Sequence, residues 1–233
     1  MATGRRSARV DVGRKAKGGG REGKPGGRRP AVVMAKIDYR KTCPGLYRAR
    51  REVSELRPPT GTFLAVDGVG EPGGAAFQDA MRQIFTLAYA TKFTVKKAGG
   101  VDFSIPNVEC LWLEDPGAKP KTEWRWRLML RVPPCVKAAT LREVRKALAQ
   151  KEGPATDAVK RITWAEGRAL QVLHVGPYDE IGASYNRLMA EAASRGLRCV
   201  GPPHEVYLSD PRRVAPARLK TIVRMAVKRQ AAN

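Results

Sequence analysis

The chain carries LWLEDP at residues 111–116 and VYLSDP at residues 206–211, two nearly equivalent stretches that lie ninety-five positions apart. Each is an apolar segment with one aromatic residue. Each also ends at Asp-Pro, where proline removes a backbone donor and restricts the residue before it. The preceding segments correspond as well, since FLAV at 63–66 and LQVL at 170–173 both run into a turn that contains glycine and proline. The sequence therefore predicts a duplicated unit.

A helical pattern follows the first strand of each copy, with apolar residues at matching offsets. Spacings of three and four residues place such side chains on one face of a helix. They are Phe77, Met81, Ile84 and Ala88 in the first half and Ile181, Tyr185, Leu188 and Ala192 in the second. We predict two βαββ repeats, at about 60–135 and 165–229, in an α+β fold with antiparallel sheets. A groove between two such repeats is a usual place for a small-molecule site.

Three shorter patterns predict further elements. Residues 124–132 alternate between apolar and mostly basic side chains, which is typical of a strand with one buried face. TLRE at 140–143 has the spacing of a capping box, so a helix is expected to begin there. The apolar residues within 158–162 suggest a second short helix or a turn.

Charge is spread unevenly along the 233 residues, which include 44 Lys or Arg and 22 Asp or Glu. Residues 1–33 are basic, rich in glycine and free of aromatic residues, so they cannot bury enough apolar area to offset chain entropy. We expect a disordered basic tail at 1–33 and one domain at 34–233. The tail is either an arm that binds nucleic-acid phosphates or an upstream extension without function before a natural start at Met34, and we favour the extension.

No run of the sequence has the length and apolar character of a membrane-spanning helix, and none resembles a secretion signal. We therefore expect a cytoplasmic protein without a membrane partner. The few residues that commonly ligate metals are widely separated, with no CxxC pair. They are Cys43, Cys110, Cys135, Cys199, His174 and His204. Neither a metal nor another cofactor is predicted.

Four stretches resemble the GyrI-like small-molecule-binding domain of the SOUL superfamily. They are VDGVGEP at 66–72, AYATKF at 88–93, HVGPY at 174–178 and, most specifically, HEVYLSDPRRV at 204–214. The resemblance covers about residues 34–228. It implies a duplicated SHS2-like module whose two βαββ repeats flank a central ligand groove, in agreement with the duplication inferred from the residues alone.

Members of this family differ in function. Some are effector domains of MerR- and AraC-type regulators, in which a glutamate among aromatic residues binds lipophilic cationic drugs. Others stand alone and hydrolyse the cyclopropane of DNA-alkylating cyclopropanoids of the yatakemycin type. The segment before the domain is too short and glycine-rich to predict a helix-turn-helix, which favours the stand-alone class.

The resemblance therefore implies a protein that binds planar lipophilic or cationic molecules and detoxifies cyclopropanoids as a hydrolase. The alternative is a non-catalytic protein of the same family that sequesters drugs or modulates DNA gyrase. A third possibility is a nucleic-acid accessory protein that acts through the tail at 1–33.

The candidate site centres on Glu205 and Tyr207, which share one face of a predicted strand because they lie two residues apart. The internal alignment equates them with Cys110 and Trp112. An aromatic wall around Glu205 is expected to raise its pKa by desolvation. We predict Glu205 and Tyr207 as catalytic residues, with Glu205 activating water. Trp112 and Tyr207 are predicted to stack on the ligand, and Tyr178 to make a polar contact at the mouth of the groove.

Simpler interpretations of these residues stay open. Trp112 and Tyr207 also fit an ordinary core, and Glu205 fits a solvated strand position, which is the usual environment of a glutamate. Two aromatic residues of the first helix, Tyr89 and Phe93, are predicted to pack in the core rather than to line the groove.

Overall fold

The computed structural model describes residues 35–114, 119–153 and 155–230. The predicted tail at 1–33 and the Asp-Pro pair that ends the first motif, at 115–116, lie outside the described residues. Among the helices that are described, none is long and apolar enough to cross a membrane.

The described chain alternates strands and helices in the order expected of two βαββ repeats. Two short helices and one short strand come first: α1 (Tyr39–Thr42), α2 (Pro44–Tyr47) and β1 (Ser54–Leu56). The first repeat consists of β2 (Gly61–Val69), α3 (Ala75–Lys97), β3 (Glu109–Trp112) and β4 (Arg125–Val132). A connection with α4 (Ala138–Ala149) and β5 (Lys160–Trp164) leads to the second repeat, β6 (Ala169–Val175), α5 (Gly182–Ser194), β7 (Leu197–Tyr207) and β8 (Lys220–Arg229).

The strands form one antiparallel sheet in the order β1-β6-β8-β7-β3-β4-β2-β5. The predicted α+β fold with two βαββ repeats is confirmed, and the sheets of the two repeats join edge to edge where β3 pairs with β7. In that pairing Cys110 lies opposite Glu205. Because these two residues are also equivalent positions of the repeats, the pseudo-two-fold axis passes between them.

The two long helices cover one face of the sheet. The stripe that α3 buries consists of Phe77, Ala80, Ile84, Leu87, Ala88 and Thr91. In the second repeat, Leu188 and Ala192 of α5 pack on strand residues that include Leu170 and Val223. Burying a large apolar side chain such as Ile84 or Leu188 contributes about 1.5–3 kcal/mol. The buried stripes therefore hold both helices against the sheet.

The opposite face of the sheet is also covered. Leu46 and Tyr47 of α2 pack against Val206 and Ile222. A separate cluster on this face contains Phe63, Ala65, Leu111 and Met129, with Ile162 and Trp164 of β5 against it. The prediction that 124–132 buries only one face is therefore wrong for the end of β4, where Met129 and Arg131 are buried as well.

Two predicted helix features also differ from the structure. Helix α4 begins at Ala138, before the capping-box pattern, and its N-cap residue Lys137 makes no side-chain cap. Residues 160–164 form the edge strand β5, which pairs with β2, instead of a short helix. The free edge of β2 satisfies the backbone groups of β5, and the β-branched and aromatic residues there suit a strand.

Candidate ligand-binding groove

A groove of about 1930 Å³ lies over the junction of the two repeats. Strands β3 and β7 form its floor with Trp112, Glu205 and Tyr207. Helix α3 lines one side with Phe77, Gln78, Met81, Arg82, Phe85 and Tyr89, and α5 lines the other with Gly182, Tyr185, Asn186 and Met189. The groove therefore follows the pseudo-two-fold axis, as the duplication predicts.

Glu205 is held in the floor of the groove with only 4% of its surface exposed. The hydroxyl of Tyr185, in the first turns of α5, donates a hydrogen bond of 2.8 Å to Oε1 of Glu205. The neighbours of Glu205 in β7, His204 and Val206, are buried on the other face of the sheet. Successive side chains of β7 therefore point to opposite faces of the sheet. The carboxyl group of Glu205 faces the groove, and the side chains of His204 and Val206 face away from it.

Burial raises the pKa of Glu205 above its ordinary range, because the dry surroundings disfavour the charged form. Hydrogen bonds from three aromatic side chains offset only part of this rise: Tyr185, Trp112 and Tyr207. Burial and the nearby Glu205 carboxylate raise the pKa of the Tyr185 hydroxyl well above its usual value. Tyr185 therefore stays protonated and remains a hydrogen-bond donor. The carboxyl group of Glu205 can accept a proton or counter a cation.

Two edge-to-face aromatic pairs flank this carboxyl group. The rings of Trp112 and Trp124 have centroids 5.4 Å apart at 75°. Those of Tyr178 and Tyr207 lie 5.8 Å apart at 81°. Such pairs present both ring faces and ring edges. Trp112 is only 3% exposed and belongs to the core cluster, so the half-buried Trp124, Tyr178 and Tyr207 provide most of the flat surface on which a planar molecule can stack.

All four residues predicted from the sequence line this one groove: Trp112, Tyr178, Glu205 and Tyr207. Their roles in binding and catalysis remain predictions. Sequence reasoning missed Tyr185, which appeared only as an apolar position of a helix, and Trp124, which appeared only as part of a strand pattern. The single signal that could have drawn notice to Tyr185 is a hydroxyl on the buried stripe of a helix, since a buried tyrosine usually needs a hydrogen-bond partner.

The core prediction for two aromatic residues of α3 is wrong. Tyr89 is 48% exposed and lines the groove, and Phe93 is 59% exposed. The buried stripe of α3 is narrower than the apolar pattern suggests, because the side of the helix that faces the groove has no element packed against it.

Cys110 faces Glu205 from the adjacent strand and is completely buried. Burial and the nearby Glu205 carboxylate raise the pKa of its thiol well above the usual value, so the thiol is neutral. The equivalent positions of the two repeats thus place one carboxyl group, rather than two, at the axis. Within the part of the chain that the structure describes, no group of three His, Cys, Asp or Glu side chains could hold a metal ion.

A buried polar cluster supports β7 from behind the groove. His204 lies between two carboxylates, with Nε2 3.0 Å from Glu109 Oε2 and Nδ1 3.0 Å from Glu166 Oε1. Arg224 is 3.2 Å from the other oxygen of Glu166. The hydroxyl of Tyr47 donates to Glu109 over 3.0 Å. This network ties His204, the residue before Glu205, to β3, to β8 through Arg224, and to the segment that follows β5.

Several proteins of known structure are similar to this chain. A hydrolase from Listeria innocua is 30% identical, with a TM-score of 0.77, over 83% of this chain and all (100%) of that chain. A second structure, also described as a hydrolase from Listeria innocua, is 32% identical with a TM-score of 0.76 over the same shares, 83% and 100%. The C-terminal domain of EcmrR is 15% identical over 77% of this chain and 98% of that chain, with a TM-score of 0.50, and shares the fold.

No curated protein matches the chain. The model of the GyrI-like small molecule binding domain matches residues 62–228, which include all but the first and last residues of the two repeats and every residue of the groove floor. The chain therefore belongs to the GyrI-like family of small-molecule-binding domains.

Proposed function

We propose that the protein binds planar, lipophilic or cationic molecules over Glu205 and hydrolyses the cyclopropane ring of cyclopropanoid alkylating agents. The observation that carries this proposal is the carboxyl group of Glu205, buried in an aromatic groove with a raised pKa and a hydrogen bond from the Tyr185 hydroxyl to Oε1. The resemblance to stand-alone cyclopropanoid hydrolases and the hydrolase descriptions of the Listeria structures support it.

The reaction needs one water molecule and a base. Glu205 accepts a proton from the water as the water oxygen bonds to a cyclopropane carbon. The carbon–carbon bond to that atom breaks, and its electron pair moves through the conjugated ring to the carbonyl oxygen, which becomes a phenolate. Tyr178 donates a hydrogen bond to this oxygen. The proton held by Glu205 returns through solvent to the phenolate, so the product is the substrate plus one water.

General-base assistance of this kind contributes about 10²–10⁴-fold to a rate. A strained three-membered ring already reacts slowly with water, so a contribution of this size is sufficient. The rings of Tyr207 and Trp112 contact the flat substrate and hold it so that the attacked carbon faces Glu205.

The test compares Glu205→Gln with Glu71→Gln, a matched change at an exposed glutamate that lines the same groove. With a cyclopropanoid as substrate, mass spectrometry detects the water adduct. We expect Glu205→Gln to lower the rate of adduct formation by about 10²-fold or more, with a smaller loss of affinity, and Glu71→Gln to keep most of the parent rate. Equal rates for Glu205→Gln and the parent would exclude the assigned base.

The second candidate is binding without turnover, which sequesters toxic cations. It is favoured by the Glu205 carboxyl group itself, because three of the other acidic side chains that line the groove, Glu114, Asp179 and Asp210, are ion-paired with basic residues. The acidic side chains of the groove lining are Glu71, Glu114, Asp179, Glu205 and Asp210, and its basic side chains are Arg82, Lys121 and Arg212. Tight binding of the cyclopropanoid with recovery of intact compound would support this candidate over hydrolysis.

A further inference from the structure

His174 lies near the end of β6, on the side of the sheet that α5 covers. Leu170 and Val172 precede it at intervals of two residues and pack in the core with α5, so strand alternation directs His174 to the same side. His174 is only 6% exposed. A polar ring in such a position is expected to be hydrogen-bonded, and both of its nitrogens have a partner.

The two partners determine where the His174 ring carries a hydrogen. Nε2 lies 3.1 Å from the carbonyl oxygen of Pro177, which can only accept, so Nε2 carries a hydrogen and donates it. Nδ1 lies 3.1 Å from Oγ of Ser184, which is itself only 5% exposed. In the neutral ring Nδ1 is an acceptor, and the Ser184 hydroxyl donates to it. The ring therefore joins the turn after β6 to the first turn of α5.

Each partner stands immediately before a tyrosine of the groove. Ser184 precedes Tyr185, whose hydroxyl bonds to Glu205. Pro177 precedes Tyr178, the proposed donor to the phenolate oxygen. Burial and the nearby Glu205 carboxylate raise the pKa of the Tyr178 hydroxyl, so this tyrosine also stays protonated. One buried ring thus ties both tyrosine-bearing segments to β6.

The turn between His174 and Tyr178 brings the backbone to the ring. Gly176 has a φ of 147°, a conformation that residues with a side chain rarely adopt. Its backbone N–H donates to the carbonyl of Leu219 over 3.0 Å, which holds the turn at the start of β8. A Cβ on Gly176 would lie 3.5 Å from Nε2 of His174, so the chain passes close to the ring. The contact between His174 and Pro177 therefore accounts for the glycine of HVGPY at 174–178.

We propose that His174 is a positioning residue of the Glu205 site, which holds Tyr178 and Tyr185 in place through the two hydrogen bonds of its ring. His174 and Ser184 are outside the groove lining, so they act on the ligand through the tyrosines. Each hydrogen bond supports one tyrosine, and the two effects are separable. This inference rests on the proposed function, since it assumes that Glu205 is the working carboxyl group.

Two variants of His174 each keep one of the hydrogen bonds. In His174→Gln the amide nitrogen can replace Nε2 and donate to Pro177, but Ser184 loses its acceptor. In His174→Asn the amide oxygen can replace Nδ1 and accept from Ser184, but Pro177 loses its donor. Ser184→Ala removes the same bond as His174→Gln and leaves the ring unchanged. Ser194→Ala is the matched control, because this exposed hydroxyl bonds to the carbonyl of Glu191 within α5.

The first readout is the pH dependence of binding of a cationic probe, 9-aminoacridine, measured by fluorescence titration. Ser184→Ala and His174→Gln are expected to shift its inflection to higher pH, because a displaced Tyr185 hydroxyl supports ionised Glu205 less well. In a Tyr185→Phe background, Ser184→Ala should cause no further shift, since the hydroxyl through which it acts is absent. Ser194→Ala should keep the parent inflection. A merely structural role would not make the two changes depend on each other.

The second readout is the rate at which a cyclopropanoid forms its water adduct, measured by mass spectrometry. Removal of a donor to a developing oxyanion lowers a rate by about 10²–10³-fold. His174→Asn displaces the Tyr178 donor without removing it, so we expect a loss of about tenfold or more within that range. The affinity should change less than the rate, and the inflection should stay at the parent pH, because Tyr185 keeps its support.

The outcomes separate this inference from the proposed function. If Ser184→Ala keeps the parent inflection, or shifts it equally in the Tyr185→Phe background, His174 does not act through Tyr185. The inference is then overturned while the Glu205 site stands. A parent rate in His174→Asn overturns the role of the contact with Pro177. Equal rates for Glu205→Gln and the parent overturn the proposed function and this inference with it.

Discussion

The position of Glu205 places a carboxyl group where it lowers the stability of the fold at neutral pH. Its pKa is higher in the folded chain than its ordinary value, because burial disfavours the charged form. For a group whose pKa is raised by folding, the stabilising contribution is present at pH below the unfolded pKa and is lost as the pH rises through the folded pKa. The ionised form of Glu205 therefore lowers the free energy of unfolding. Such a destabilising group is expected where it serves a function.

Glu205→Gln is predicted to be as stable as the parent or more stable at about pH 8, because the amide removes the buried charge. The advantage should disappear at about pH 3, where Glu205 is protonated in both states. Denaturant unfolding at the two pH values measures this. Glu71→Gln, at an exposed position, is expected to change the free energy of unfolding by less than about 0.5 kcal/mol. A Glu205→Gln protein that is clearly less stable at pH 8 would contradict the prediction.

Tyr185 sets the pH range in which Glu205 is ionised. The hydrogen bond from its hydroxyl lowers the pKa of Glu205 against the larger effect of burial. Tyr185→Phe is therefore predicted to shift the inflection in the pH dependence of cationic-probe binding to higher pH, measured by fluorescence titration.

Tyr178→Phe is the control for that change. Tyr178 contacts Tyr207 through its ring, and hydrogen bonding from its hydroxyl does not contribute to the pKa of Glu205. Its variant should keep the parent inflection, whatever its affinity. An inflection in Tyr185→Phe that stays in place or moves to lower pH would show that the hydroxyl does not support the carboxylate.

The sequence predicts the floor of the groove better than its walls. Glu205, Tyr207 and Trp112 follow from strand alternation, because a period of two assigns each side chain to a face. Tyr185 could not be assigned in the same way, since it lies on the border of a helical stripe. Whether such a tyrosine packs or donates a hydrogen bond depends on where β7 lies, and helical periodicity carries no information on that contact.

Between elements, the cluster around His204 joins four parts of the chain. Glu109 belongs to β3, Glu166 follows β5, and Arg224 belongs to β8. A neutral imidazole has one N–H, whereas both ring nitrogens of His204 face a carboxylate oxygen, so the geometry fits the protonated ring. Burial alone would lower the pKa of His204, but the charge of Glu166 and the hydrogen bonds to both carboxylates outweigh it and raise the pKa.

The stabilising contribution of His204 is predicted to be complete below about pH 6.5, its ordinary pKa, and to be lost as the pH rises through its higher folded value. His204→Gln should lower the free energy of unfolding by about 3–5 kcal/mol at pH 6, because two buried carboxylates lose their partner. The difference from the parent should shrink at higher pH, as measured by denaturant unfolding.

The other histidine of the chain provides the control. His174 faces the Ser184 hydroxyl and the carbonyl of Pro177 rather than a carboxylate. His174→Gln removes no carboxylate partner, so it should lower the free energy of unfolding at pH 6 by less than His204→Gln does. A difference between His204→Gln and the parent that grows with pH would mean that the ring is neutral in the fold.

The predictability of each element depends on whether its pattern is local. The strands and helices of the two repeats follow from periodicity, and their pairing follows from the duplication. Strand β5 could not be predicted from periodicity, because its residues form a strand only where the edge of β2 is available to pair with them. The cluster around Glu109 and His204 was also missed, since it joins residues 95 positions apart.

Over the full chain, duplication and asymmetry have separate effects. Two copies of one unit bring equivalent positions face to face at the axis, which creates the groove. The copies then differ where they meet, with Glu205 in one and Cys110 in the other. A symmetric pair of glutamates would place two like charges together in a dry site, and one of them would be protonated. The single carboxyl group gives the floor of the groove one acidic group at the axis.

The segment before the first repeat completes the fold, although the family match begins only at residue 62. Leu46 and Tyr47 are each 5% exposed and cover the sheet on the face opposite the groove. The carbonyl of Leu46 accepts a hydrogen bond of 3.0 Å from Arg224, which is itself buried. Without this segment, apolar strand residues and the buried guanidinium of Arg224 would be exposed or lose their partners.

We predict that a chain beginning at Met34 unfolds with the same free energy as the full chain, within about 0.5 kcal/mol. A chain beginning at Thr60 should be less stable than the full chain by at least about 3–6 kcal/mol, because burial of Leu46 and Tyr47 contributes about 1.5–3 kcal/mol each, and this is a large share of the about 5–15 kcal/mol that folded domains have in total. Leu46→Ala provides an intermediate case, with an expected loss of about 2–5 kcal/mol. Urea unfolding followed by tryptophan fluorescence measures all three. A Thr60 chain as stable as the full protein would show that the repeats alone form the folding unit, and that the segment only rests on their surface.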